Sequence, residues 1–193
     1  MYEFIRGTVA GLNPASVVIE TAGVGYLIHI SLNTYSQING KKDVTLLMHQ
    51  VIREDAHLLY GFAEKRERDI FRNLISVSGV GAATALMMLS SLNPDELTTA
   101  VVSGNIELLK GVKGIGIKTA QRIIIDLKDK FGKLPDSAQI LFTPDNTLRN
   151  EALSALVMLG FAKKDAEKVV SKIVGENPDA TVERVIKTAL KRL

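Results

Sequence analysis

Ser78-Gly79-Val80-Gly81 and Lys113-Gly114-Ile115-Gly116 are two versions of one short turn, set 35 positions apart. Each follows a short apolar-periodic segment, and each has an alanine four positions after its second glycine, Ala85 in the first and Ala120 in the second. One Gly-x-Gly says little; two in matching contexts point to one device used twice. Glycine lets a turn come close to a phosphate, and the first N–H groups of the following helix point outward at the positive end of its dipole. Such a turn grips a nucleic-acid backbone without reading bases. The pair predicts a DNA-binding protein with a tandem helix-hairpin-helix domain.

Working outward, residues 64–76 and 82–91 read as the helices around the first turn, and 105–110 and 117–131 as those around the second. Between them, Asn93-Pro94-Asp95-Glu96 is a helix start: a cap residue, a proline in the first turn and an acid three positions after the cap. That helix runs over 94–103 to Gly104. Upstream, segments 2–10, 16–20, 24–31, 44–52 and 58–62 are rich in Val, Ile, Leu and Tyr, and glycines punctuate them. Tyr26, Ile28 and Ile30 alternate with Leu27 and His29; Val44, Leu46 and Met48 alternate with Thr45, Leu47 and His49. Five short strands with glycine bends predict a small closed barrel of the OB type. OB barrels often stack single-stranded bases on exposed aromatics. Of Tyr2, Phe4, Tyr26, Tyr35, Tyr60 and Phe62, most fit inward positions, so the barrel reads first as a scaffold.

Downstream, residues 132–147 hold Gly132, Pro135, Pro144 and a polar majority, the composition of a flexible linker. Segments 148–159, 163–174 and 181–192 then predict a three-helix (UBA-like) unit with corners at Gly160-Phe161 and Asn177-Pro178-Asp179. A small helical unit on a tether is an interaction module. The expected class is α+β multidomain: an OB-type β-barrel over 1–62, a tandem helix-hairpin-helix domain over 63–132, a linker over 133–147 and a partner-binding domain over 148–193.

Charge sharpens the reading. The chain of 193 residues has a net charge of only +3, yet residues 105–133 carry seven basic side chains against three acidic. Positive charge thus gathers at the second turn, where a phosphate ligand wants it; a solvated helix face with scattered lysines is the alternative. No run approaches the ~18 apolar residues that cross a bilayer, and Met1-Tyr2-Glu3-Phe4 lacks a signal-peptide pattern, so a cytoplasmic location is expected. With no cysteine and with His29, His49 and His57 far apart, neither a metal nor another cofactor is implied.

One enzymatic reading falls away and a second finds no catalytic cluster. Gly111 to Thr119 nearly spells a phosphate-binding P-loop, but Ile117 stands where its lysine belongs, and 105–110 is helical where a P-loop needs a strand. Glycosylases and nucleases that use such hairpins add a catalytic Lys or Asp or a carboxylate cluster. Asp126 and Asp129 read instead as surface pairs with Lys128 and Lys130. A helix-hairpin-helix repair enzyme and a helical adaptor stay open as rivals. Arg53-Glu54-Asp55-Ala56-His57 reads as a charged hairpin tip, or as carboxylates that repel phosphates and keep strands apart.

Together these features resemble the RuvA family of bacterial Holliday-junction branch-migration proteins across essentially the whole chain. The residues that carry the resemblance are Gly23-Val24-Gly25-Tyr26, the run from Arg53 to Phe62, both hairpins with Lys118, Thr119, Ala120 and Arg122, and Met158-Leu159-Gly160-Phe161. The resemblance implies a non-catalytic subunit that binds four-way junction DNA as a homotetramer or face-to-face octamer. Gly79, Val80, Gly81, Gly114, Ile115, Gly116, Lys118, Thr119 and Arg122 would meet DNA, and Glu54 and Asp55 would form a central acidic pin. Residues 148–193 would bind a RuvB-type hexameric ATPase, and a RuvC-type resolvase would share the junction. Two departures matter: Ile117 and Ala83 stand where the family often has lysine.

Overall fold

The computed structural model describes residues 2–132, 144–177 and 180–193. They belong to two compact units, Met1–Leu134 and Pro135–Leu193.

The first unit begins with β1 (Phe4–Asn13), β2 (Ser16–Thr21), β3 (Val24–His29), β4 (Asp43–Ile52) and β5 (His57–Phe62), closed into a barrel in the order β1-β2-β3-β5-β4. Every pairing is antiparallel except the closure of β3 on β5, which is parallel at His29 and Tyr60. The alternation legible in the sequence sets the inside: Val17, Ile19, Ile28, Ile30, Val44, Leu46 and Met48 form the barrel core. The aromatic expectation holds for four of the six, since Tyr26 and Tyr35 pack against the barrel core. Only Tyr60 and Phe62 are buried; Tyr26 and Tyr35 are half-buried, and Tyr2 and Phe4 stand half exposed. Phe4 opens β1 and Tyr2 lies two residues before it; pairing to β4 begins at Phe4 but pairing to β2 only at Thr8, so this end of the strand has a neighbour on one side only.

Between β3 and β4 lies a helix the sequence did not announce, α1 (Leu32–Ile38). Its Asn, Thr, Tyr, Ser and Gln content gives it little intrinsic helix preference. What starts it is Ser31, whose Oγ accepts the N–H of Thr34 at 3.0 Å.

Then follow α2 (Lys65–Ile75), α3 (Ala82–Ser91), α4 (Pro94–Ser103), α5 (Ile106–Lys110) and α6 (Ile117–Phe131). α4 has the capping box foreseen: Asn93 Oδ1 accepts the N–H groups of Asp95 and Glu96 at 3.0 and 2.9 Å, and the Glu96 carboxylate accepts the N–H of Asn93 at 2.9 Å. One apolar core runs through these helices and reaches the barrel's last strand. In it Phe71 packs on Tyr60 and Phe62, with ring centroids 5.1 and 4.9 Å apart. Barrel and hairpin domain therefore share a core.

The second unit holds α7 (Pro144–Met158), α8 (Lys163–Glu176) and α9 (Val182–Ala189) around Ala152, Leu156, Val170, Ile173 and Val185. At the Gly160-Phe161 corner, Phe161 N–H donates to Leu156 O at 3.1 Å. Helix α7 begins four residues before the expected start at 148. The rest of the expected linker, 133–143, lies outside the described residues, as do Pro178 and Asp179 of the second corner.

Candidate nucleic-acid interface

The two glycine turns are built alike. Val77 and Val112 enter the core; one residue on from Ser78 and Lys113, Gly79 and Gly114 take left-handed φ angles of 92° and 93°. An L side chain is strained in that conformation, which is why glycine stands at both positions. Val80 and Ile115 then fold back, their N–H groups donating to Val77 O and Val112 O at 3.0 and 3.1 Å. Gly81 and Gly116 act as caps with φ of −84° and ψ of 166° and 169°. The first intrahelical bonds, Ala85 N–H to Gly81 O and Ala120 N–H to Gly116 O, are both 2.9 Å.

Glycine has no side chain with which to cap, so the leading N–H groups of α3 and α6 are left open at the positive end of each helix. The N–H groups of Gly79 and Gly114 donate to no acceptor among the described residues. The repeat extends into the core: Leu74 and Leu109, Val77 and Val112, Ala85 and Ala120, Met88 and Ile123, Leu92 and Leu127 are each 35 apart and each buried. Both alanines are fully buried.

Val80 and Ile115, counted among the expected DNA-binding residues, are the two of that set that do not reach the surface. Both side chains are buried in the shared core and both N–H groups are engaged inside the turn, because the residue after a left-handed glycine points back into the domain. Their part is to brace the turn. The other expected residues lie on the surface: Gly79, Gly81, Gly114, Gly116, Lys118 and Arg122 are exposed and Thr119 is half-buried.

Outside the core the repeat breaks. Lys113, Lys118 and Arg122 around the second turn correspond to Ser78, Ala83 and Met87 around the first. The turns are nevertheless neighbours, since Arg122 Nη1 donates to Ser78 O at 3.4 Å. A guanidinium from the second hairpin's helix thus lies against the first hairpin. Ile117, in place of a family lysine, is exposed.

Glu54 and Asp55 occupy the tip between β4 and β5, a turn closed by Arg53 N–H on Ala56 O at 2.8 Å. Both carboxylates are exposed, and neither has an ion-pair partner among the described residues. Asp126 and Asp129 are also exposed but form no ion pair with Lys128 or Lys130. Lys128 is two residues from Asp126, and Asp129 is one residue from each lysine, spacings that do not face each other on a helix. Asp126 and Lys130, four apart, have the right spacing but no ion pair. No group of three metal-ligating side chains is found among the described residues, and no described helix is long and apolar enough to cross a membrane.

Sequence reasoning missed one polar cluster, Ser31, Thr34 and Glu67, all buried. Glu67 sits in a charged run that reads as surface, and only a cap at Ser31 would have hinted otherwise. Arg68, equally buried, was missed for the same reason.

Barrel, doubled hairpin and separate three-helix unit define a helix-hairpin-helix protein of the multidomain, DNA-associated kind. Family models agree segment by segment: RuvA N terminal domain over residues 1–61, SAM-like helix-hairpin-helix tandem over 71–129, and RuvA C-terminal domain over 147–193. Among curated proteins the chain is 53% identical to one from Bacteroides thetaiotaomicron, and 52% identical to those from Christiangramia forsetii and Flavobacterium psychrophilum. Each is covered over its whole length, as is this chain, and each is named Holliday junction branch migration complex subunit RuvA. The chain belongs to the RuvA family.

Proposed function

We propose that this chain is a non-catalytic subunit that binds four-way DNA junctions in recombination and repair. The observation that carries the proposal is the doubled hairpin: two superposable backbone turns with open N–H groups, one ringed by cations. Gly79, Gly81, Gly114 and Gly116 shape the phosphate sites, and Lys118, Thr119 and Arg122 supply side-chain contacts. The chain acts in the cytoplasm as a homotetramer or octamer, with the Glu54 and Asp55 tips of several copies meeting where strands separate. Repulsion between those carboxylates and phosphates steers the strands. Residues 148–193 recruit a RuvB-type ATPase that moves the arms, and a RuvC-type resolvase shares the junction.

The test is a gel-shift titration against a four-way junction and an equal-length duplex, with unlabelled duplex competitor. Tighter binding to the junction in discrete shifted bands is expected. Equal affinity for both, or strand cleavage by the pure protein with a divalent metal, would overturn the assignment in favour of a repair enzyme. Removal of residues 148–193 is expected to leave junction binding intact and to abolish ATPase-driven branch migration.

A further inference from the structure

The joint between barrel and hairpin domain contains a carboxylate that the surface site does not use. Glu67, in the first turn of α2, is fully buried and its oxygens accept from two hydroxyls of the α1 region. Ser31 Oγ donates to Oε1, and Thr34 Oγ1 donates to Oε2 at 2.7 Å. With Glu67 ionised, both bonds run toward the carboxylate, which has no proton to give. Ser31 Oγ already accepts the N–H of Thr34, and Thr34 Oγ1 accepts the N–H of Ala63 at 3.1 Å. Each hydroxyl has a single proton, and both protons are aimed at Glu67. Ala63 leads from β5 into α2, so the chain of bonds closes on the segment that joins the two domains.

The surrounding contacts widen the joint. Leu32 N–H donates to Ser90 Oγ at 3.1 Å, tying α1 to α3, the helix that opens at the first hairpin. On the other side of α2, Arg68 donates to Glu3 O at 3.0 Å and pairs with the Glu3 carboxylate at 2.7 Å. Arg72 donates to Met48 O at 3.3 Å. Apolar rings such as Phe71 against Tyr60 tolerate sliding. Hydrogen bonds to a buried carboxylate do not, because a bond lost there leaves charge unsatisfied in a dry site.

We propose that Glu67 is a positioning residue for junction binding: with Ser31 and Thr34 it fixes the angle of the hairpin domain on the barrel, and so the placement of both hairpins relative to the Glu54–Asp55 tip. This rests on the junction-binding reading above. A four-way junction engages hairpins and tip together; a straight duplex meets the hairpins alone.

The test uses the full chain carrying Thr34→Val, Thr34→Ser or Glu67→Gln, titrated with four-way junction and with duplex and monitored by circular dichroism. Thr34→Val keeps the volume and loses the hydroxyl; Thr34→Ser keeps the hydroxyl. Thr34→Val and Glu67→Gln are expected to lose roughly tenfold in junction affinity, within the range by which residues remote from a ligand modulate its binding. Duplex affinity and its salt dependence should stay at wild-type values, and Thr34→Ser should retain junction preference. The proposal is overturned if Thr34→Val keeps that preference, if Thr34→Ser falls as far as Thr34→Val, or if junction and duplex affinities fall together. Should Glu67→Gln fail to fold, the Thr34 pair decides alone. A wild-type chain with no junction preference would instead overturn the junction reading itself.

Discussion

The two hairpins share their turn angles to within a few degrees and several pairs of buried positions, yet they differ in much around that frame. The helix leading into the first, α2, has eleven residues and is tied to the barrel through Glu67, Arg68 and Arg72. The helix leading into the second, α5, has five, started by Asn105, whose Oδ1 accepts the N–H of Leu108 at 3.0 Å. The position 35 residues beyond Glu67 is Val102, which is exposed. In return the second hairpin has Lys113, Lys118 and Arg122 where the first has Ser78, Ala83 and Met87. The two copies share their glycines and those buried pairs and differ at their free positions: the first hairpin is the anchored one, the second the charged one.

The largest expected effects test the likeness. Leu74→Ala and Leu109→Ala remove equivalent, fully buried side chains and should each cost about 2–5 kcal/mol in urea unfolding. A cost below about 1 kcal/mol at either site would mean that half of the repeat is not held by its core. Next come Gly79→Ala and Gly114→Ala. An added Cβ meets nothing within 4 Å at either glycine, so the whole cost is the left-handed backbone, about 1–2 kcal/mol and equal at the two sites. Unequal losses would break the backbone equivalence.

Smaller effects test the difference. Lys118→Ala with Arg122→Ala should weaken DNA binding and lower the slope of log affinity against log salt by about two, one per lost phosphate contact. Ser78→Ala with Met87→Ala should leave that slope alone; a matching fall would place charge-dependent binding at the first hairpin too.

The anchor has a pH signature. Burial pushes the Glu67 carboxyl above its ordinary value of 4.5, and the hydroxyls of Ser31 and Thr34 draw it part of the way back. Between 4.5 and the raised value the folded chain holds a proton that the unfolded chain has released, so stability from this group falls as pH rises through that window. Thermal melts should therefore show wild type losing ground to Glu67→Gln as pH rises above 4.5. A difference in Tm that is flat across that window would contradict a buried, titrating Glu67.

Much of this was legible in the sequence because it rests on local rules. Period-two alternation placed Ile28, Ile30, Leu46 and Met48 inside the barrel, and Asn93 to Glu96 announced the start of α4. The paired Gly-x-Gly placed both hairpins, because left-handed backbone admits few residues besides glycine. What stayed hidden depends on distant partners. α1 has weak helix formers and owes its start to one serine. Glu67 and Arg68 read as surface charges until Ser31, Thr34 and Glu3 were brought to them by the barrel. Val80 and Ile115 sit between exposed glycines in sequence, and only the turn's geometry sends them inward. The bond from Arg122 to Ser78 O joins residues 44 apart and has no sequence signal.

The account's central claim is that one backbone device is used twice with unequal charge, and the substitution Ala83→Lys tests it most directly. Ala83 is exposed, corresponds to Lys118, and stands beside a turn with the same uncapped helix start as the second. Junction affinity of wild type and Ala83→Lys would be measured across a series of salt concentrations. The account predicts tighter binding and a salt slope steeper by about one, because the added cation completes a second charged contact. An unchanged slope, with the protein folded, would mean that the first hairpin does not face a phosphate, and would contradict the shared role of the two turns.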